Sequence, residues 1–289
     1  MSQRPGPNIN FLDKSFQENA VSSYVLTLQL NTHTLSYAVY DPKPGKFTGL
    51  GREYLHLADD KPLPLALKEV TANHPILSKD FGKVLLAYGG LKNTLVPRAL
   101  FKEDMPGEYL AFNFPVREDE NVLTDSLNNP DALNIYAIPD LLQKELVRNW
   151  PAIHIQHLSS ILIESLNLNF KHTAGDDTVF LNVREDCFDL IYFRNSRLYF
   201  YNVFRYQTRE DFIYFLLASF EQLKLNPESA KLVLMGTIDK NSQIYEMIHR
   251  YIRNSSFIEN NSAFRYSYVM DDTDLYPYYC LFAILQCES

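Results

Sequence analysis

The chain has 289 residues, 46% of them hydrophobic, and a formal net charge of -8, so it holds enough apolar material for one large domain or two packed ones. The acidic balance, with no basic run longer than two residues, argues against a nucleic-acid partner, whose affinity would be built from clustered Lys and Arg. The longest apolar stretches, such as FIYFLLASF at 212–220, fall short of the roughly 20 residues that a bilayer span needs, and the start MSQRPGPNINFLDKSF lacks the apolar core of a secretory signal; a soluble cytoplasmic protein without direct membrane insertion is expected.

Residues 1–21, with Pro5 and Pro7, read as an ordered-late or mobile lead-in. From Ser22 the runs YVLTLQL, TLSYAVYD and KFTGLGREYL predict a three-stranded meander, its second turn made by PKPG. PLPLALKEVTANH predicts a helix with Pro62 and Pro64 at its start and Leu65, Leu67 and Val70 facing inward. KVLLAYGG at 83–90 predicts a buried strand.

Residues 98–133 are polar and interrupted by Pro106, Pro115 and Pro130, as an insertion would be. A strand LNIYAI, a helix PDLLQKELVRNW, a strand AIHIQH and an apolar helix SSILIESLNL follow. That helix leads to a boundary at Gly175, Asp176 and Asp177, which divides a first lobe, 22–175, from a second, 176–289.

The second lobe repeats the order of the first. TVFLNVR, CFDLIYF and RLYFYNVFRY give three strands, TREDFIYFLLASFEQL a helix capped by Thr208, and KLVLMG a buried strand. VFLNVREDCFDLIYF matches LTLQLNTHTLSYAVY without a gap at an offset of 153, which aligns Leu26 with Val179, Leu30 with Val183 and Leu35 with Phe188. The later strand matches at 148, Lys83 with Lys231.

Two meander–helix–strand repeats with an insertion in the first resemble the actin-like ATPase superfamily. What the resemblance implies is an α/β duplicated ribonuclease H-like fold, two lobes with mixed five-stranded sheets and an inserted subdomain in the first. The chain looks most similar to the type IV pilus assembly M proteins, to the cytoplasmic part of the type II secretion L proteins, and to an uncharacterised bacterial family of this fold. The likeness spans about residues 22–289 and rests on element order.

Active members carry an Asp-x-Gly hairpin in each half, which cradles phosphates with backbone N–H groups and organises a metal ion. Here the aspartate falls on Gln29 and the glycine on Asn31; in the second half they fall on Asn182 and Arg184. A left-handed backbone is tolerable for Asn but costs Arg about 1–2 kcal/mol. Glu185 and Asp186 at the second turn tip would repel a polyphosphate by about 4 kcal/mol for like charges about 4 Å apart at an effective dielectric near 20. The Gly-Gly that contacts adenosine is reduced to Gly236, and Gly89 and Gly90 of the first half read as a plain turn.

The resemblance therefore implies a scaffold or adaptor without catalysis or cofactor. It would bind another protein, as the pilus and secretion relatives recruit membrane-embedded partners. The alternative is a switch holding ATP with magnesium in an atypical cleft around Asn31, Arg184 and Gly236, with Arg184 making a phosphate contact.

Other chemistry is weaker. The nuclease branch of the fold needs a carboxylate where Gln29 stands. His154 and His157 in HIQH lie three apart, on opposite faces of a strand, and read as strand residues. DDTD at 271–274 reads as a cap for the final helix LYPYYCLFAIL. Cys187, Cys280 and Cys287 lack metal spacing and read as buried thiols; Cys187 aligns with Thr34, a packing position, with a reactive thiol near Arg184 as the alternative. RLYFYNVFRYQ, in a chain with 19 Tyr and 19 Phe, carries rings on both strand faces, one for the core and the other for a covering helix or a partner.

Overall fold

Alternating apolar side chains build the first sheet. In the computed structural model, which describes residues 8–57, 62–170 and 177–287, β1 (Ile9–Leu12) precedes a meander of β2 (Val25–Leu30), β3 (Thr34–Asp41) and β4 (Lys46–Tyr54). α1 (Leu63–Asn73) follows, with Pro64 in its first turn where a missing N–H costs no helical bond. β5 (Lys83–Tyr88) then returns parallel to β2.

The insertion is wider and more regular than its composition predicts. β6 (Asn93–Pro97), α2 (Pro106–Ala111), β7 (Glu120–Leu127) and β8 (Ala132–Pro139) form a three-stranded antiparallel sheet with its helix. Val96, Leu110, Ile135 and Ala137 give it a small core of its own. α3 (Asp140–Asn149), β9 (Ile153–His157), parallel to β5, and α4 (Leu158–Phe170) come next. Leu28 and Leu30 of β2, Leu35 and Tyr37 of β3, Leu67 of α1 and Leu142 and Leu146 of α3 share the main core.

The second half contains β10 (Asp177–Val183), β11 (Cys187–Arg194), β12 (Arg197–Arg205), α5 (Arg209–Gln222), β13 (Lys231–Gly236), α6 (Gln243–Tyr251) and β14 (Asn254–Phe257). Thr208 caps α5 in a reciprocal box: its hydroxyl accepts the Asp211 N–H at 3.0 Å while the Asp211 carboxylate accepts the Thr208 N–H at 2.9 Å. One face of β12 is covered by this helix, Phe204 stacking on Phe215 at 5.7 Å. β15 (Arg265–Tyr266) and α7 (Tyr279–Ala283) end the chain.

The strand orders β4-β3-β2-β5-β9 and β12-β11-β10-β13-β14 are the same, and β1 and β15 extend the first sheet to seven strands. Among the described residues one compact unit comprises 8–57, 62–164, 262–273 and 280–287, and the other 165–170, 177–261 and 274–279. Three expectations are corrected here. Residues 165–170, assigned to the first lobe, belong to the second unit. Residues 9–12 are not lead-in but a strand on β4, held where Asp13 accepts hydrogen bonds from Lys46 Nζ (2.7 Å) and the Ser267 hydroxyl. Residues 262–273 and 280–287, assigned to the second lobe, belong to the first unit, because β15 pairs with β4 and Phe282 packs on Phe47 at 4.6 Å. Pro5, Pro7, Gly175 and Asp176 lie outside the described residues.

A buried polar network ties the inserted sheet to the main one. Asp125 of β7 accepts the Ser160 hydroxyl at 2.6 Å, the His157 N–H at 2.7 Å and the Tyr136 hydroxyl at 3.2 Å, which places a carboxyl over the N-terminal turn of α4. Asn134 donates to the hydroxyls of Ser159 and Ser160, and Asn93 to Asn134. Burial raises the Asp125 carboxyl to about 6 against these hydrogen bonds. The folded chain thus holds this proton to higher pH than the unfolded chain does, so the contribution to stability is full below about pH 4 and is lost as pH rises through about 6. Urea unfolding from pH 4 to 7 should show wild type losing on the order of 2–3 kcal/mol relative to Asp125→Asn; parallel profiles would contradict this.

Candidate functional site

The two β-hairpins that the resemblance aligns with phosphate cradles are built alike, one in each unit. The first closes at the pair Leu30–Leu35, with Asn31 N–H donating to Thr34 O at 2.9 Å; the second closes at Val183–Phe188, with Arg184 N–H donating to Cys187 O at 2.8 Å. Both registers obey the offset of 153, and so do the bulges, at Val39/Tyr40 and Tyr192/Phe193. At the end of the neighbouring parallel strand, Gly89 N–H donates to Leu30 O (2.8 Å) and Thr237 N–H to Val183 O (2.7 Å), at the offset of 148. The backbones match; the side chains do not.

In the first hairpin Gln29 lies opposite Ser36 and beside Ala87, which in turn neighbours Gln156 of β9, so these residues form one polar row across the sheet. Gln29 and Asn31 are buried, and the side-chain oxygens of both have no hydrogen-bond partner. Gln156 is oriented by donating its amide N–H to Cys287 O at 3.1 Å. The row is neutral.

In the second hairpin the equivalent of Ser36 is Asp189, which is 0% exposed. Arg184, 3% exposed, turns inward to it, with Nε 3.1 Å from Oδ2 and Nη2 3.2 Å from Oδ1. Asn182 donates to Oδ2 at 2.9 Å and the Tyr201 hydroxyl to Oδ1 at 3.2 Å. Tyr206 closes the turn by donating to Arg184 O at 2.8 Å. Burial works against the charged guanidinium, but the facing carboxylate outweighs it, so Arg184 holds its proton more firmly than a solvated arginine. The side chain expected to reach for a phosphate is committed to an internal anion.

The backbone expectation also changes. Among the described residues the non-glycine positions with positive φ are Asn195, Ser196 and Lys224, so neither Asn31 nor Arg184 is left-handed and the strain anticipated at Arg184 does not arise. Gly236 is left-handed, with φ 84°, and a Cβ there would stand 2.1 Å from Val183 O and 2.8 Å from Asn182 Oδ1. Its glycine is demanded by the hairpin beside it.

The other candidates resolve simply. Cys187 is buried and burial pushes its thiol up, so it is a packed residue, not a reactive one. Cys280 and Cys287 are also buried thiols. His154 is exposed, whereas His157 is buried with Nδ1 2.7 Å from the Ser159 hydroxyl and Nε2 3.0 Å from Gly90 O. DDTD supplies no side-chain cap: Leu275 precedes the first C-terminal helical turn, and Asp274 instead pairs with Lys240 Nζ at 2.9 Å. Asp189, which organises the second hairpin, escaped sequence reasoning although its signal is plain, a lone carboxylate in the apolar strand CFDLIYF.

Removing one partner of a buried pair leaves the other charge unmatched. Asp189→Asn and Arg184→Met should each lower unfolding free energy by about 3–5 kcal/mol. The double variant Arg184→Met/Asp189→Leu should recover most of that loss in urea titrations. Additive single and double losses would show that the pair is not coupled.

Comparison with known proteins places this geometry. The chain matches a Bacteroides thetaiotaomicron protein of actin-like ATPase fold and unknown function at 23% identity and a TM-score of 0.77, over 94% of this chain and 99% of that one. It matches a chain of the PilM–PilN type IV pilus biogenesis complex at 12% identity and a TM-score of 0.67, over 91% and 98% of the two chains. These likenesses establish the actin-like ATPase fold. No curated protein matches the sequence. A family model described as "Protein of unknown function (DUF3822)" matches residues 13–255, and the chain belongs to that family.

Proposed function

We propose that the protein is a non-catalytic scaffold or adaptor of actin-like fold that binds another protein in a bacterial cytoplasm. The observation that carries this is the inward Arg184–Asp189 pair. A phosphate cradle needs free donors at the hairpin, and here the one guanidinium is spent on a buried carboxylate while Glu185 and Asp186 occupy the tip. A protein partner is supported by the related fold having been solved as a PilM–PilN complex. The proposal extends to a membrane-embedded partner; among the described residues of this chain no helix is long and apolar enough to cross a membrane.

An ATP–magnesium switch fits the residues less well. Magnesium takes oxygen ligands, usually carboxylates, yet positions 29 and 182 carry amides and Asp189 is already paired. As oriented, the amides of Gln29 and Asn31 leave acceptor oxygens without partners, so contact with a phosphate oxygen would require them to turn over and present their N–H groups. Their side chains suit a hydrogen-bond donor.

Two measurements test the proposal. Millimolar ATP with magnesium should leave the thermal midpoint unchanged, whereas a ligand at 100 times its Kd adds about 2.7 kcal/mol and a clear upward shift. Affinity capture from native extract should return a protein that re-forms a stoichiometric complex when both are purified. An ATP-dependent shift, or failure of every captured protein to reassociate, would contradict the proposal.

A further inference from the structure

The two sheets share a strand order but differ at one edge. In the first unit the outer edge of β4 is taken by β1, with Ile9–Leu12 antiparallel to residues 49–52. In the second unit the corresponding strand is β12, and among the described residues no strand pairs with its outer edge. The equivalent pairs Leu35–Glu53 and Phe188–Phe204 map residues 49–52 of β4 onto 200–203 of β12.

β12 has nine residues and neither Gly nor Pro, and although a bulge at Tyr199 interrupts it, residues 200–205 keep an unbroken register with β11, whereas exposed edges are ordinarily shortened or broken to prevent pairing. Tyr206 N–H donates to Asp186 O at 3.1 Å. By the alternation of an antiparallel ladder, Val203 and Arg205 then turn their N–H and C=O groups away from β11. Arginines stand at both ends. Arg197 and Arg205 are exposed, and the Arg194 guanidinium lies over the exposed Tyr199 ring at 5.4 Å. The nearest carboxylate to Arg205 is Asp186, at 4.0 Å. Between the arginines Leu198 and Val203 lie on one face of the strand and Phe200 on the other, all three partly buried.

We infer that the outer edge of β12 receives an extended segment of a partner protein, apolar at alternate positions and acidic at both ends, added antiparallel as β1 is added to β4. This names a surface for the protein-binding proposal above and rests on it. A second copy of the chain fits poorly, because β12 carries an arginine at each end and no carboxylate, so a self-paired edge would supply no acidic partner to either. The chain's own first seven residues, MSQRPGP, carry no acidic residue and two prolines that cannot donate to a ladder.

Amide hydrogen exchange on the full chain tests the inference, with the synthetic peptides DEVTVTVED and KKVTVTVKK as probes. In the free protein the Val203 and Arg205 amides should exchange at least about 100-fold faster than the inward Phe204 amide. The acidic-flanked peptide should protect them saturably and bind about tenfold more tightly than the lysine-flanked one at low salt. Val203→Pro, which deletes only an outward donor, should abolish protection. Arg197→Glu/Arg205→Glu should reverse the peptide preference, a readout that stands even if the proline variant does not fold. Amides already slow in the free chain would mean that its own residues cover the edge; slowing that grows with protein concentration would mean a second copy; no protection by either peptide would mean no strand docks. Each of these overturns the inference. A captured partner that binds Val203→Pro as well as wild type would overturn it too, while leaving the scaffold proposal standing.

Discussion

A guanidinium and a carboxylate cannot be taken out of water together unless each finds the other and their remaining hydrogen-bonding capacity is used, since the desolvation of either costs several kcal/mol. Arg184 and Asp189 find each other inside the second hairpin, with Asn182 and Tyr201 serving the carboxylate oxygens. The consequence reaches beyond stability. A side chain so held is turned away from solvent, and its hairpin is packed around its own ion pair.

The duplication makes this pair interpretable. The same backbone, at the same offset and with a bulge at the same point, carries Gln29, Asn31 and Ser36 in one unit and Asn182, Arg184 and Asp189 in the other. One copy has settled on neutral groups, two of which leave acceptor oxygens without partners; the other has settled on opposite charges. Strand pairing and core packing are indifferent to the choice, because the core lies on the alternate residues Leu28, Leu30, Leu181 and Val183. Hence the fold persists while the chemistry of its hairpins changes.

Much of the fold was legible because it is written in local periodicity. The ten strands and helices of the two repeats, and the α5 cap at Thr208, announce themselves by alternation, helical spacing and an Asp three residues on. What was not legible depends on pairing between distant segments. β1 has four residues and β15 two, and each becomes a strand only because β4 offers an edge. β14 is short and largely polar; α6, with Ser242 accepting the Tyr245 N–H at its start and Ile244 and Ile248 on its buried face, carries a readable helical pattern that sequence reasoning passed over. In the insertion, prolines and charges concealed a small sheet whose attachment to the main one is polar, through Asp125, Asn134 and the two serines that open α4. At the hairpins the replaced motif positions were readable, but the direction of Arg184 was not, because an arginine beside two acidic residues gives no sign that a carboxylate five positions away lies beneath it.

Side-chain NMR of Arg184 reports on the buried pair itself. Its Nε–H should be a resolved, slowly exchanging resonance in the free protein and should keep its position and exchange rate as magnesium and ATP, or inorganic phosphate, are titrated to millimolar concentrations. An Arg184 resonance that exchanges like a solvated guanidinium, or that moves saturably with either ligand, would show an open cradle and contradict the account.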